Sequence, residues 1–338
     1  MLSDRLWLRE LSSTTGPLSR AEFLKARHAG FGVSQVVVVG LAERATNRTA
    51  RSSDRVIRGD DNEVHRVHLS DSSTVFVRIS RAGQHSFDHE VRAMDHARNV
   101  GVPVPALLAL EVVDGDPAPR QAMVIAAAAG RQLSDLTPAL TANQRRSAWT
   151  DAGTALARVH EVQMSGVWRP DADGHWPDPA QYRRQYVSDR LAEGPLLEAA
   201  GLSATEIDRA FDLLAADPDV PAELSQVLCH GDFSAEHVFV DQDLHVSGVI
   251  DWGMWRSSSA VSDLAVASLH LGQDDFDPLV NGHSYAMADQ PTMVRQLDVS
   301  IITEALGHIA WSQSVGDTGG NISTVSAVRK ALRRLALG

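Results

Sequence analysis

The spacing of apolar residues changes once along the chain, near residue 130, and this change constrains the fold more than any other feature. Before it, strand patterns cover residues 56–80, 106–115 and 120–130, with one helical stripe that begins at Phe87. Beyond it, apolar residues recur at helical spacing in 144–162, 203–216 and 298–314. The pattern predicts an α+β chain with a β-rich N-terminal part and a mainly helical C-terminal part.

Four segments outside these elements have weaker patterns. Residues 17–30 have mixed helical spacing, and Val36 to Val39 fit either a short strand or a buried turn of helix. The polar residues 42–55 are typical of a connector, and 164–185, rich in Trp, Pro and Asp, are typical of a long loop. We therefore expect one N-terminal helix and two irregular stretches.

The composition limits where the protein works and what it binds. Of the 338 residues, 43% are hydrophobic, which suits a folded chain. The net charge of −12 disfavours nucleic acid and anionic membranes, and no apolar run approaches the roughly 20 residues that cross a bilayer. The N-terminus, MLSDRLWLRE, does not resemble a secretory signal. We expect a cytoplasmic protein that binds neither nucleic acid nor membrane; the oligomeric state is not indicated.

Two scarce residue types are informative. The single cysteine, Cys229, allows no intramolecular disulfide and fits either a core thiol or, beside His230, a nucleophile. Lysine occurs only at Lys25 and Lys330. A phosphate group bound by a basic side chain in the middle of the chain must therefore use arginine.

A short β segment interrupts the helical part, and polar residues lie at its ends. CHGDFSAEHVFVD (229–241) predicts a loop that leads into a strand, and a second strand ends just before DWG (251–253). A hairpin brings the ends of its strands together, so we expect His237 and Asp251 side by side, with Asp232 at the lip of the loop. Three oxygen or nitrogen ligands would then face one point.

This arrangement suits phosphoryl transfer. The reaction needs a carboxylate that positions the attacking hydroxyl and accepts its proton, and two ligands that hold Mg²⁺ against the nucleotide phosphates. Protein kinases supply these groups as H-R-D-x-x-x-x-N followed by D-F-G. Here His237 follows Asp232 at the same separation, and Asp251 takes the D-F-G place as Asp-Trp-Gly. The order of these residues, their spacing and their predicted secondary structure all agree with the protein-kinase pattern.

These residues resemble the aminoglycoside phosphotransferase and choline kinase group of phosphotransferases. The resemblance covers roughly residues 55–275, and its other segments are GDDNEVHRV (59–67), VFVRI (75–79), FDHEVRAMDHARNVGVPVP (87–105), ALARVHEV (155–162) and SDLA (262–265). It implies a bilobal, protein-kinase-like fold. A nucleotide-binding N-lobe would cover 46–127, a helical C-lobe with the catalytic loop and acceptor pocket 128–338, and a helical extension packed on the N-lobe 1–45.

The resemblance also implies roles for individual residues of the C-lobe. Asp232 would be the catalytic base, and His237 and Asp251 would bind the metal ion. His237 occupies the position where aminoglycoside kinases have Asn, and macrolide phosphotransferases also have His at this position. Because imidazole nitrogen is a softer ligand than an amide oxygen, Mn²⁺ is an alternative to Mg²⁺.

In the N-lobe the resemblance assigns nucleotide contacts. Arg78 would contact the phosphates, since no lysine lies nearby, and Glu90 on the following helix would pair with it. A turn from Gly59 to Asn62 would cover the phosphates, although a short polar turn between two strands is the alternative.

The function implied is an ATP-dependent or GTP-dependent phosphorylation of a hydroxyl group on a small molecule, most simply an antibiotic. A sugar or amino-alcohol kinase of the same fold is one alternative, and a non-catalytic binding module is another. The net charge favours a cationic acceptor, and the acids that would bind it or merely face water are Asp274, Asp275 and Asp277.

A metal-dependent hydrolase is a rival in a different class, because His and carboxylate ligands also suit zinc. Its ligands would be His230, Asp232, His237, His245 and Asp251. We instead expect structural roles for three neighbours: His230 within its loop, His160 in the core, and Asp263 as an anchor for backbone near the start of its helix.

Overall fold

The computed structural model of the chain describes residues 24–26, 28–29, 32–57, 62–81, 87–114, 118–216, 226–284 and 291–337. The chain divides into two compact units. The first lies within 1–95 and 104–128, and the second within 96–103 and 129–338. The role predicted for 1–45 as a separate extension stays a prediction.

The first unit is built on an antiparallel sheet. Among the described residues the strand order is β1-β2-β3-β5-β4. The strands are β1 Ala50–Val56, β2 Glu63–Leu69, β3 Thr74–Ile79, β4 Leu107–Val113 and β5 Arg120–Ala126. The strand patterns at 56–80, 106–115 and 120–130 are thus confirmed. Alternate residues of β2 and of the first part of β3 are buried, which is the reason for their period-two pattern, whereas Ala122 to Ile125 of β5 are all buried.

A helix, α1 Gln35–Thr46, packs against this sheet, decides between two sequence expectations and corrects a third. The apolar run from Val36 to Val39 is helical rather than a short strand, and residues 42–55 are not a connector but the end of α1 and strand β1. Ser34 caps the helix, and Val38, Leu41 and Ala42 are buried in the cluster that covers the sheet. Packing of this face overrides the low helix propensity of consecutive valines.

The helix predicted from Phe87 is α2, Asp88–Asn99. It ends as predicted at Gly101, whose φ of +80° favours glycine. The amides of Gly101 and Val102 donate to carbonyl oxygens of the last helical turn, at 3.0 Å each.

The second unit is mainly helical, with two small sheets. Its helices are α3 Leu133–Leu136, α4 Ala142–Val159, α5 Pro179–Ala192, α6 Gly194–Ala199, α7 Ala204–Ala216, α8 Ala260–His270, α9 Gln273–Gly282, α10 Pro291–Val315 and α11 Asn321–Leu337. The strands are β6 Arg131–Gln132, β7 Val227–Cys229, β8 Val238–Val240, β9 Val246–Val249 and β10 Arg256–Ser258. In the described part of this unit, β6-β8-β9 form one sheet and β10-β7 the other.

The long loop predicted at 164–185 is shorter than expected. Helix α5 begins at Pro179, where the proline occupies the first turn and the Asp178 side chain accepts a hydrogen bond from the Gln181 amide at 2.7 Å. The helical predictions at 144–162, 203–216 and 298–314 coincide with α4, α7 and α10. The helix predicted at 17–30 lies mostly outside the described residues. No helix in the described ranges is both long and apolar enough to cross a membrane.

Candidate active site

The loop that follows β7 makes a turn that only glycine suits. Gly231 has φ +84°, and a Cβ atom there would lie 2.0 Å from the carbonyl oxygen of Met254. The chain therefore passes directly over the segment that follows Asp251. This close approach fixes where Asp232, the next residue, leaves the turn.

Asp263 on α8 holds this turn from beneath. Its carboxylate accepts the backbone amides of His230 and Gly231, at 2.7 Å each, and lies 3.0 Å from Nε2 of His160. Burial alone raises the pKa of Asp263, but the hydrogen bond and charge of His160, with His230 and Arg256, lower it to about 2. Asp263 anchors backbone, and His160 is buried, as the sequence predicts.

His230 is a structural residue of the loop. It is fully buried, and its Nε2 lies 2.9 Å from the carbonyl oxygen of Ile250. Its Nδ1 accepts the backbone amide of Asp232 at 3.2 Å. Burial first, and then His237, lower the pKa of His230. The ring is therefore a neutral link between the loop and the end of β9, as expected.

The hairpin brings His237 and Asp251 together as its geometry predicts. The Ile250 amide donates to the His237 carbonyl oxygen at 3.0 Å, and His237 Nε2 lies 3.7 Å from Asp251 Oδ2. On the other side of the ring, Nδ1 lies 3.6 Å from Asp232 Oδ2. The carboxylates of Asp232 and Asp251 are 35% and 44% exposed, so a ligand can reach both.

The proton on His237 can be assigned from its partners. Nδ1 lies 2.7 Å from the backbone carbonyl oxygen of Asp232, which only accepts, so Nδ1 carries hydrogen. Nε2 is thereby directed at Asp251. Burial lowers the pKa of His237, but Asp251, Asp232 and this carbonyl together raise it above the ordinary value. A histidine whose second nitrogen binds a backbone carbonyl is the usual form of a metal ligand.

Asp251 has an unusual backbone conformation. Its φ and ψ are both 62°, in the left-handed region that aspartate tolerates better than most residues. Arg169 holds the turn that follows, because its guanidinium donates to the carbonyl oxygens of Gly253, at 2.6 Å, and Trp255. Such a conformation, held by neighbouring contacts, is typical of functional sites.

The residues expected to bind nucleotide lie in the first unit. Arg78 on β3 and Glu90 on α2 form a buried, hydrogen-bonded ion pair, and the Arg78 guanidinium lies 5.4 Å from the Phe87 ring centre. Asn62 directly precedes β2, and Gly59 lies outside the described residues. Their contact with nucleotide stays a prediction.

The structure argues against the hydrolase ligand set and against Cys229 as a nucleophile. His245 is 70% exposed and faces Asp151, with 3.4 Å between Nδ1 and Oδ1, rather than the other proposed ligands. Cys229 is fully buried and its thiol donates to the Ser259 carbonyl oxygen at 3.3 Å. Burial, with Asp263, raises the pKa of Cys229 well above its ordinary value, so the reactive thiolate is disfavoured.

One residue beside Asp232 was missed in the sequence. His270, the last residue of α8, has its Nε2 atom 3.7 Å from Asp232 Oδ1. It follows Asp263 by seven residues, two helical turns, and so shares the helix face that anchors the loop. That spacing is the signal that could have found it.

Two of the three acids suggested for a cationic acceptor, Asp275 and Asp277, have other partners. Asp275 is buried and paired with Arg145 on α4, at 2.5 Å, and Asp277 accepts a hydrogen bond from Gln273 at 2.6 Å. Asp275 therefore joins α9 to α4 rather than facing an acceptor.

The sequence is similar to a known protein family and to known proteins. A sequence model described as the phosphotransferase enzyme family matches residues 55–291. An aminoglycoside 3′-phosphotransferase of Streptomyces ribosidificus is 29% identical over 206 residues, which are 59% of this chain and 70% of that protein. The mouse acyl-CoA dehydrogenase family member 10 is 25% identical over 236 residues, 66% of this chain; the matched part spans about a fifth of that relative, 21%.

Solved structures are similar over most of the chain. A thermostable mutant of aminoglycoside phosphotransferase APH(4)-Ia, in a ternary complex with ADP and hygromycin B, has a TM-score of 0.66 at 13% identity, covering 88% of this chain and 98% of that one. A structure described as a fructosamine-3-kinase of Thermobifida fusca has a TM-score of 0.60 at 17% identity, covering 88% and 100%. The predicted kinase-like α+β fold, β-rich first and helical afterwards, is confirmed.

Proposed function

Because the chain belongs to the phosphotransferase enzyme family, we propose that it transfers the γ-phosphoryl group of ATP to a hydroxyl group of a small molecule, with an antibiotic as the first acceptor class. The observation that carries this proposal is the convergence of Asp232, His237 and Asp251 at one loop and hairpin. The antibiotic kinase among the relatives, and the neighbouring structure that holds ADP and hygromycin B, support it.

Asp232 is the proposed base. Its carboxylate accepts the hydroxyl proton while the hydroxyl oxygen bonds to the γ-phosphorus and the bond from that phosphorus to the bridging oxygen of ADP breaks. Its partial exposure leaves it open to an incoming acceptor. Most of the rate enhancement in phosphoryl transfer comes from positioning the reacting groups. The anchored loop that carries Asp232 therefore contributes to catalysis.

His237 and Asp251 are the proposed ligands of a divalent cation. Their donor set, an imidazole nitrogen and a carboxylate oxygen 3.7 Å apart, fits Mg²⁺ and Mn²⁺. When bound, such an ion neutralises charge on the phosphates. Arg78, oriented by Glu90, is proposed to contact the phosphates, with the turn from Gly59 to Asn62 over them.

A small-metabolite kinase is the second candidate, favoured by the likeness to the fructosamine-3-kinase structure. The two candidates differ only in the acceptor. We therefore propose one screen: consumption of ATP, and separately of GTP, with Mg²⁺ or Mn²⁺, against aminoglycosides, macrolides, nucleoside antibiotics, amino alcohols and sugar-amine adducts. Mass spectrometry detects the phosphate adduct. Nucleotide turnover that no compound accelerates would argue against an acceptor from these classes.

Asp232→Asn tests the base. We expect turnover to fall by about 10²–10⁴-fold, because the proton acceptor is lost while the shape of the side chain is kept. Nucleotide affinity, measured by calorimetry, should change little. Turnover equal to that of the unaltered enzyme would refute the assignment.

His237→Ala and His237→Asn test the metal site together. The alanine variant should need a higher Mg²⁺ concentration for half-maximal activity, and the asparagine variant, with its hard amide oxygen, should regain Mg²⁺ activity. The preference for Mn²⁺ over Mg²⁺ should fall in the asparagine variant. An identical metal requirement in all three proteins would exclude His237 as a ligand.

A further inference from the structure

The two oxygen atoms of the Asp232 carboxylate face different imidazoles. Oδ2 lies 3.6 Å from His237 Nδ1, on the side where His237 also meets Asp251. Oδ1 lies 3.7 Å from His270 Nε2, at the C-terminal end of α8. The carboxylate therefore has one oxygen on the side of the proposed metal ligands and one on the side of His270.

The gap between Oδ1 and His270 matches one hydroxyl group. At 3.7 Å the two atoms are too far apart for a direct hydrogen bond. An oxygen atom about 2.8 Å from each of them would form hydrogen bonds of normal length, with an angle of about 83° between the two contacts. The Asp232 and His270 side chains are 35% and 33% exposed, so an oxygen can enter from solvent.

We propose, on the premise of the phosphotransferase function above, that His270 binds the acceptor hydroxyl together with Asp232. The hydroxyl donates its hydrogen to Asp232 Oδ1 and accepts a hydrogen bond from His270 Nε2. Its remaining lone pair is then directed away from both side chains, and this direction selects which oxygen of an acceptor can attack phosphorus. A donor on the attacking oxygen costs little rate, because phosphoryl transfer passes through a loose transition state that depends on position more than on nucleophile strength.

Neighbouring elements fix the position of His270. Asp263, two turns earlier on α8, is bound to the loop backbone, so the helix and Asp232 are held in one frame. The ring of His308 on α10 lies 6.0 Å from the ring of His270, between centroids. His270 thus belongs to a helix face that α10 covers and the catalytic loop adjoins.

The test compares three substitutions of His270 with wild type. His270→Ala should lower kcat/KM for the acceptor about tenfold, the equivalent of one hydrogen bond of about 1.4 kcal/mol, with the KM for ATP unchanged. His270→Gln should retain most activity, because its amide nitrogen reaches about as far as Nε2. His270→Asn should behave like alanine, because its amide reaches only as far as Nδ1. A difference between Gln and Asn is not expected from a merely structural role.

The acceptor in these assays is the first compound in the screen that the wild-type enzyme phosphorylates. If the enzyme phosphorylates none of them, water is the acceptor and the assay follows ATP hydrolysis. His245→Ala is the matched control, since it removes an imidazole from another histidine–aspartate pair of the same unit, and it should leave kcat/KM unchanged. Thermal unfolding checks that each variant folds. If His270→Ala has the same turnover as wild type, or if His270→Gln and His270→Asn change turnover equally, the role of His270 is overturned but the proposed function is not. Absence of any wild-type nucleotide turnover overturns the proposed function, and this inference with it.

Discussion

Two layers of polar side chains meet the loop from His230 to His237, and they differ in how closely their contacts are made. In the inner layer Asp263 is fully buried and bound by two backbone amides and His160, at 2.7–3.0 Å. In the outer layer Asp232 and Asp251 are partly exposed and meet imidazoles at 3.6–3.7 Å. The Asp263 carboxylate therefore has a structural role, whereas the carboxylates of Asp232 and Asp251 are accessible to a ligand.

The difference explains how three acids serve one site in different ways. A buried carboxylate is tolerable only when its hydrogen bonds are satisfied, and those of Asp263 fix the loop backbone. Asp232 and Asp251 lie on or beside this fixed loop, so the loop backbone rather than their own contacts sets their positions. Stability and turnover should therefore separate by layer, which the following substitutions test.

Asp263→Asn should have the largest effect on stability. An amide in place of the carboxylate turns an N–H group towards backbone donors and removes the charge that faces His160, so we expect a loss of about 3 kcal/mol of unfolding free energy. Urea denaturation followed by fluorescence measures it. Asp232→Asn is the matched change in the outer layer and should stay within about 0.5 kcal/mol of wild type while losing turnover. Equal loss of stability in both variants would remove the distinction between the layers.

Gly231→Ala should have the next largest effect. The left-handed backbone costs about 1–2 kcal/mol for a residue with Cβ, and the contact with the Met254 carbonyl oxygen forces the loop to move as well. We expect a loss of about 2 kcal/mol or more in unfolding free energy, with reduced turnover. Gly201→Ala separates the two causes, because Gly201 has φ +101° but open space around it. It should lose about 1 kcal/mol and no turnover; an equal loss at both glycines would show that the close contact is unimportant.

The outer layer could be predicted from the sequence, because a hairpin fixes its own ends locally. His237 directly precedes β8 and Asp251 lies two residues after β9, so their proximity needs no knowledge of the rest of the fold. The contacts of the inner layer could not be predicted from the sequence. Asp263 and His160 are 103 residues apart in the chain, so tertiary structure rather than local spacing brings them together. His270 shares that limitation, although its spacing from Asp263 is visible in the sequence.

The fold shows the same division between local and tertiary control. Strands β2 and β3 were predicted because alternate residues are buried on the sheet. For α1 the run of valines left strand and helix both open, and the contact of Val38 and Leu41 with the sheet selects the helix. The start of α5 was missed although Asp178 and Pro179 form a recognisable helix start, because the surrounding Trp, Pro and Asp residues indicate a loop.

The last prediction concerns the pH dependence of stability, at the far end of the inner layer. His160 Nδ1 lies 2.7 Å from Nε2 of His283, which follows α9, and burial first, then His160, lower the pKa of His283 to about 4. The unfolded chain takes up this proton near pH 6.5 and the folded chain only near pH 4. Stability from this group is therefore complete above pH 6.5 and falls as the pH is lowered towards 4.

For one proton the slope is at most about 1.4 kcal/mol per pH unit. His283→Gln, whose amide can still meet His160, should flatten the decline of unfolding free energy between pH 6.5 and pH 4. The buried His230 also has a lowered pKa and contributes a decline of the same sign, so the difference between wild type and variant, rather than the wild-type curve, is the measurement. Parallel curves for the two proteins would mean that His283 takes up its proton equally in the folded and unfolded states, and that the inner layer ends at His160.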